Sequence, residues 1–359
     1  MTAHQDGIAG FKVVRLNATI SPVDEYEASL YQRYGIQPLL VEANTSAEII
    51  THVSDCDAIL VVSTALPAQV IQNLVRCRII SRLGIGTDKI DVELAKQMGI
   101  VVTNAPGCFS EEMADHTLAL MLGLARKLPQ MSRAMELGAW SKSRALSVQN
   151  QRLSQCTLGL VGFGDSARLV AQRARAFGMR LLATRRNLNS PSPQAVALGV
   201  SMVDLDTLLS QSDYVSLHLP LNKETYHLFD AAMLGKMKRG AYLINTARGA
   251  IVDEYALAEA LRDGRLGGAG LDTFEHINPF SGVDSPPNHP LLQLENVILT
   301  PHVAALSIEG MKEVAEKGIE NVASVLRGYW PLAERIVNQG VEPRFILSQP
   351  SSQKATAST

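Results

Sequence analysis

The stretch Leu158–Asn187, LGLVGFGDSARLVAQRARAFGMRLLATRRN, decides how the chain is read. An apolar run turns on Gly162-Phe163-Gly164, passes into a helical segment near Asp165, and returns to an apolar run ending at Thr184-Arg185-Arg186. Strand, glycine turn, helix and strand in that order form the βαβ unit that holds a dinucleotide. Gly162 permits the tight turn, and Gly164 lets a pyrophosphate approach the backbone. The amides of Asp165 and Ser166, at the start of the helix, face the phosphates. Ala167 stands where a third glycine is usual, so the fingerprint is incomplete and its context carries the reading.

Upstream, FKVVRLNA (11–18), PLLVEA (38–43), AILVVST (58–64) and Ile79–Ser81 read as strands. Helical stretches over residues 22–34, 46–54 and 67–76 separate them. Short apolar runs alternating with helices imply a parallel sheet with crossover connections. This region lacks a phosphate-binding glycine fingerprint and reads as a separate, smaller α/β domain. Arg82-Leu83-Gly84-Ile85-Gly86-Thr87-Asp88 follows directly on a strand. Its paired glycines let N–H groups converge on a carboxylate; the same pattern also fits an ordinary tight loop. Pro106-Gly107 marks a domain boundary. Ser110 is placed to cap a long helix, with Glu111 and Glu112 in its first turn and an apolar stripe from Met113 to Leu124. The Leu128-Pro129 step ends that helix. A second helix over 130–137 and a polar stretch over 141–154 lead into the βαβ unit.

Downstream the alternation continues. Strands are expected at 214–221, 241–246, 267–273 and 297–305, with helices at 205–210, 230–237, 254–262 and 308–328. The strands end in clusters of polar or special residues: His218-Leu219-Pro220, Thr246-Ala247-Arg248-Gly249, Asp272 and His302. Ligands of open α/β sheets sit at the carboxyl ends of the strands, so these clusters should line one crevice.

At 359 residues the chain has room for two domains, and 46% hydrophobic with 19% charged residues fits a globular protein with a sizeable core. A net charge of −2 gives no reason to expect nucleic acid or an anionic membrane as partner. Cys56, Cys77, Cys108 and Cys156 are widely spread with no CxxC pair, which reads as four reduced thiols. The first ten residues carry no basic segment followed by an apolar one, and Leu118–Ala125 is far too short to span a bilayer. A cytoplasmic protein is expected, with no metal site.

A dinucleotide site points to hydride transfer, which needs a proton carrier beside the reacting carbon and a cation to hold an acidic substrate. His302 suits the first role because its reference pKa lies nearest neutrality. Arg248 suits the second because its planar fork holds a carboxylate in two bonds. Taken singly, a histidine or an arginine is more often a surface or core residue; the position at a strand end singles these two out.

From residue 11 to 340 the chain resembles the D-isomer-specific 2-hydroxyacid dehydrogenases. The resemblance rests on RLGIGTDKID (82–91), TNAPGCFSEEMADHTLALML (103–122), LGLVGFGDSA (158–167), HLPLNKETYHL (218–228), INTARGAIVDE (244–254), GGAGLDTFE (267–275) and LTPHVAA (299–305), in that order. It implies two Rossmann-like doubly wound α/β domains with the active-site cleft between them. The substrate domain would be residues 11–106 completed by 304–340, and the dinucleotide-binding domain 107–303; by composition, with almost no apolar residues, 348–359 reads as a disordered tail. It implies Arg248 as substrate-orienting arginine, His302 as acid/base, and Gly84-Ile85-Gly86 as backbone cradle for the substrate carboxylate. His218, Pro220, Thr246, Ala247 and Asp272 would surround the cofactor. The partners implied are a small 2-oxo or 2-hydroxy acid and, for assembly, a homodimer. Two alternatives share the fold: a dinucleotide-sensing protein resembling the C-terminal-binding-protein corepressors, and a dehydrogenase of an unusual acid. The long insert Asn278–Pro290, beside His302 in the reading, motivates the latter.

Two departures from the family pattern matter. The family pairs its histidine with a glutamate in a stretch close to DVFExEP, whereas this chain reads Asp272-Thr273-Phe274-Glu275-His276-Ile277-Asn278-Pro279. Ile277 falls at the catalytic position, leaving Glu275 or Asn278 as the expected partner of His302. A carboxylate there would favour the charged imidazole more than an amide. The second departure lies about 20 residues beyond the glycine turn, where an acid would bind the ribose hydroxyls of NAD. Here stand Arg185, Arg186 and Asn187, with no acid over 181–189. Two guanidinium groups attract a 2′-phosphate, so NADP(H) is the expected preference, with NAD(H) also possible.

Overall fold

The computed structural model describes residues 8, 10–18, 22–148, 150–279 and 288–349. Residues 350–359 of the expected tail and residues 280–287 of the insert fall outside them, as do residues 1–7 and 9. The described residues form two compact units. One comprises those up to Cys108 together with those from Ile308 onward, and the other is Phe109–Ser307.

In the first unit the strands are β1 (Val13–Leu16), β2 (Pro38–Val41), β3 (Ala58–Val61), β4 (Ile79–Arg82) and β5 (Val101–Thr103). They pair in parallel in the order β2-β1-β3-β4-β5. β1 and β3 are buried along their whole length, which is why they read as continuous apolar runs. The exception is Arg15 on β1, 1% exposed, whose Nε lies 3.1 Å from Glu27 Oε1. Its carrier α1 (Glu25–Tyr34) is capped by Asp24, three residues after the expected start at Pro22. Thr45 and Glu48 form a capping box on α2 (Ser46–Val53). The helix expected over 67–76 is a single turn, α3 (Ala68–Ile71). The Val75 amide instead reaches the Ser54 carbonyl at 3.0 Å, so a tertiary bond draws the chain off the helical path. α4 (Val92–Gln97) was not read from sequence.

The second unit opens with α5 (Ser110–Ala125), α6 (Leu128–Glu136) and α7 (Trp140–Leu146). Ser110 is not the cap of α5. Phe109 is, through its backbone, with φ 67° and its carbonyl accepting from the Met113 amide, while Ser110 is buried in the first turn. α7 occupies part of the stretch read as merely polar. Then follow β6 (Thr157–Val161), α8 (Asp165–Ala176), β7 (Arg180–Thr184), α9 (Pro193–Leu198), β8 (Val200–Met202), α10 (Leu205–Gln211) and β9 (Tyr214–Leu217). The unit closes with α11 (Ala231–Lys236), β10 (Tyr242–Asn245), α12 (Glu254–Arg262), β11 (Gly268–Leu271) and β12 (Val297–Leu299). The sheet runs β12-β11-β10-β9-β6-β7-β8, all parallel, and its strand order reverses between β6 and β9. Ligands bind at such a switch point. The last helix, α13 (Ile308–Leu326), belongs to the first unit, where Ser81 on β4 donates to the Gly318 carbonyl at 3.0 Å.

Candidate active site

The switch point is built around the glycine turn. Gly162 has φ 97°, and a side chain there would meet the His218 carbonyl oxygen at 2.2 Å. Only glycine satisfies both demands. Around Gly164, by contrast, a Cβ would meet nothing within 4 Å, and α8 starts there without any side-chain cap. The amides of the first turn of α8 therefore border open space, the arrangement a pyrophosphate requires. Ala167, in the third small position, is fully buried against the sheet. These residues fit a dinucleotide.

His218 follows β9 and bridges this turn to the strand. Its Nδ1 lies 3.1 Å from Ser166 Oγ and its Nε2 2.9 Å from Ser216 Oγ. Burial pulls its pKa down to about 4, so the ring is neutral at pH 7. Pro220 is exposed just beyond it, its carbonyl accepting from Thr225 Oγ1 at 2.7 Å.

Beyond β7, Arg185 donates to the carbonyls of Ser190 and Pro191, and Arg186 pairs with Glu224 at 2.6 Å with both side chains largely exposed. Asn187 Oδ1 accepts the Asn189 amide in a local turn. Asp165, also exposed, pairs with Arg168 at 3.3 Å.

The loop after β10 is held by its own strand. Asn245 donates from Nδ2 to the Arg248 carbonyl at 2.8 Å and accepts the Ala247 amide at 3.0 Å. Thr246, buried, meets Thr117 of α5 at 3.0 Å between hydroxyl oxygens. The Arg248 guanidinium donates to the Ala247 carbonyl at 2.7 Å.

Asp272, after β11, is fully buried. Its carboxylate accepts from Thr300 Oγ1 (2.6 Å) and from the Val303 and Ala304 amides (2.9 Å each). These donors flank His302, whose backbone sits at φ 59°. Asp272 thus shapes the loop that carries His302. His116 of α5 joins the network, with Nε2 2.9 Å from Thr300 Oγ1 and 3.6 Å from Asp272 Oδ1.

Glu275 is engaged at both oxygens. Tyr226 donates to Oε1 at 3.0 Å, and His227 Nε2 lies 2.6 Å from Oε2. The next backbone amides, of Glu275 and His276, donate to the buried Glu254 carboxylate at 2.7 and 3.2 Å.

In the first unit, the carbonyls of the 82–86 loop turn towards protein donors. Gly84 O accepts from the Ala105 amide, Ile85 O from Asn104 Nδ2 (2.7 Å) and Gly86 O from Arg82 Nε (3.0 Å). In a trans peptide the N–H opposes the C=O. The amides of Ile85 and Gly86 therefore point away from those donors, as an anion cradle requires.

Sequence reasoning missed His116, Glu254 and the His227–Tyr226 pair. Each acts across a long sequence separation, and none sits in a spacing that marks it. Among the described residues no group of histidines, cysteines and acids could hold a metal ion, and no helix is long and apolar enough to cross a membrane.

Residues 118–304 match the description "D-isomer specific 2-hydroxyacid dehydrogenase, NAD binding domain". The chain belongs to the D-isomer-specific 2-hydroxyacid dehydrogenase family. It is 41% identical over 298 residues to a glyoxylate reductase of Korarchaeum cryptofilum, covering 82% of this chain and 86% of that protein. A D-lactate dehydrogenase from Aquifex aeolicus, solved with NAD and lactic acid, superposes with a TM-score of 0.78 at 27% identity, covering 91% of this chain and 99% of the other. An acyclic imino acid reductase solved with NADPH and D-Arg superposes with a TM-score of 0.75, also at 27% identity and with the same coverage. The protein is a D-2-hydroxyacid dehydrogenase, with an α/β fold of two parallel sheets and a nicotinamide dinucleotide as its cofactor.

Proposed function

We propose that the enzyme reduces a small 2-oxo acid such as glyoxylate or hydroxypyruvate to the D-2-hydroxy acid, with NADPH preferred over NADH. The observation that carries this reading is the convergence at one sheet edge. Arg248 and His302 follow the carboxyl ends of β10 and β12, with Asp272, just past the strand between them, bonded to the amides after His302. When bound, the nicotinamide would supply the hydride for reduction of the substrate carbonyl. Protonated His302 would give its proton to the developing alkoxide as the general acid. Arg248 would grip the carboxylate, and the Ile85 and Gly86 amides of the 84–86 loop would help to hold it and stabilise charge forming on oxygen.

The first turn of α8, with Gly162, Gly164, Asp165 and Ser166, would hold the pyrophosphate; His218, Pro220, Thr246 and Ala247 would line the rest of the cofactor site. Arg185 and Arg186 would hold the 2′-phosphate. An exposed ion pair such as Arg186–Glu224 is worth at most about 1 kcal/mol, so a doubly charged phosphate displaces Glu224 at little cost. Leu137, just past α6, and Trp140, which opens α7, are 67% and 65% exposed, and such exposed apolar side chains support a homodimer.

Oxidation of NADPH with glyoxylate, hydroxypyruvate and phenylpyruvate, repeated with NADH, tests the reading. Turnover above about 1 s⁻¹ is expected with at least one acid, with kcat/KM higher for NADPH. Equal or better use of NADH would overturn the cofactor preference, and no turnover with any of the acids would overturn the reductase reading.

A further inference from the structure

Beside the catalytic loops lies a carboxylate–imidazole pair that the reaction as proposed does not use. Glu275 and His227 meet at 2.6 Å, Tyr226 adds a bond at 3.0 Å to the other carboxylate oxygen, and the Tyr226 and His227 rings stack at 4.1 Å. Burial works to raise the Glu275 carboxyl, and the bonds from His227 and Tyr226 outweigh it, leaving the group below the ordinary carboxylate range. His227 sits at φ 47°, a conformation a non-glycine residue keeps only where its surroundings over-determine it.

The two segments that carry this pair enclose the loop that carries Arg248. On one side, the His227 amide donates to Ala250 O at 2.8 Å, the Phe229 amide to Ile251 O at 3.0 Å, and the Asp253 amide to Phe229 O at 3.1 Å. On the other side, Gly249 lies against the backbone of residues 274 and 275, where a Cβ would meet Phe274 C at 2.0 Å and Glu275 N at 2.4 Å. That second segment is pinned from behind by Glu254, which accepts the Glu275 and His276 amides. The Glu275 side chain links the two flanks, closing a ring of contacts around residues 248–252.

We propose that Glu275 and His227, with Tyr226, are positioning residues that clamp the Arg248 loop and so set affinity for the substrate carboxylate, rather than serving proton transfer at His302. The inference rests on the reading of Arg248 as the carboxylate anchor. An arginine holding a carboxylate through two bonds is sensitive to small displacements of its loop. Loosening the clamp removes binding made alike in ground and transition states, which raises KM and leaves kcat nearly intact.

The test uses the full-length enzyme with NADPH, glyoxylate as substrate and oxamate as a non-reacting carboxylate probe. Glu275→Ala should raise the glyoxylate KM and the oxamate Kd about tenfold while kcat stays within about threefold and its pH dependence keeps its shape. Glu275→Gln, whose oxygen can accept from one partner while its amide N–H donates to the other (a phenol oxygen and a neutral imidazole nitrogen both accept), should recover most of that affinity. His227→Gln should weaken oxamate binding, and adding it to Glu275→Ala should weaken it little further, because the two residues act as one clamp. Melting temperature and NADPH affinity identify variants that fail to fold; should Glu275→Ala be one, Glu275→Gln and His227→Gln carry the test. A fall in kcat at unchanged KM with a displaced pH profile would overturn the proposal and return Glu275 to proton transfer. Unchanged affinity in Glu275→Ala, with Arg248→Ala weakened, would overturn the clamp alone. Unchanged oxamate binding in Arg248→Ala would overturn the anchor reading and the clamp with it.

Discussion

The residue that bears most on the chemistry without performing it is Asp272. It is an acid with no exposure, and it is satisfied by one hydroxyl and two amides from the loop after β12. Asp272→Asn replaces one acceptor oxygen with an N–H group that faces a donor. Leaving such a buried pair unmatched costs about 1–3 kcal/mol. The loss should appear in urea denaturation, and kcat should fall by about tenfold or more because His302 loses its fixed orientation. Full stability and full kcat in the variant would contradict that role. The resemblance put Asp272 around the cofactor; its carboxylate in addition holds the neighbouring loop, a relation that becomes visible only when β11 and β12 lie side by side.

Among the connecting elements, the 248–252 loop lies close against the 274–276 segment at Gly249. Gly249→Ala sets a methyl group 2.0 Å from backbone that has no flexible end to yield. Overpacking of this kind costs about 1–3 kcal/mol, and the variant should melt earlier and bind 2-oxo acids more weakly, as calorimetry and the KM would report. The larger elements were legible because buried parallel strands read as continuous apolar runs; α12 was found to the residue and α8 at its start. Among the elements that escaped were α4, α7, β8 and α9, three to seven residues long, too short to show a clear period. α3 escaped as a long helix because its chain is diverted by a bond to Ser54. Candidate site residues could be named where a motif's local pattern pointed to a role. His227 lies within the 218–228 motif yet was not singled out: it is one of eight histidines, and its partner lies 48 residues away.

For the molecule as a whole, His218 ties stability to pH. The unfolded imidazole has a pKa near 6.5 and the folded one a value of about 4. Between these values the unfolded state binds the proton and the folded state does not, so stability falls as the pH drops through that window. Both states are neutral above it. Over the full window the loss is on the order of 3 kcal/mol. Urea midpoints measured from pH 7 to pH 4 should therefore fall more steeply in the native protein than in His218→Asn, and parallel curves would remove the assignment. The grip of Asp272 has a consequence of another kind. It seizes two main-chain amides, so the bracket that holds the loop after β12 is indifferent to which side chains residues 303 and 304 bear. Shape and chemistry are specified by different parts of the chain, and a lineage can exchange the tool without recutting the handle.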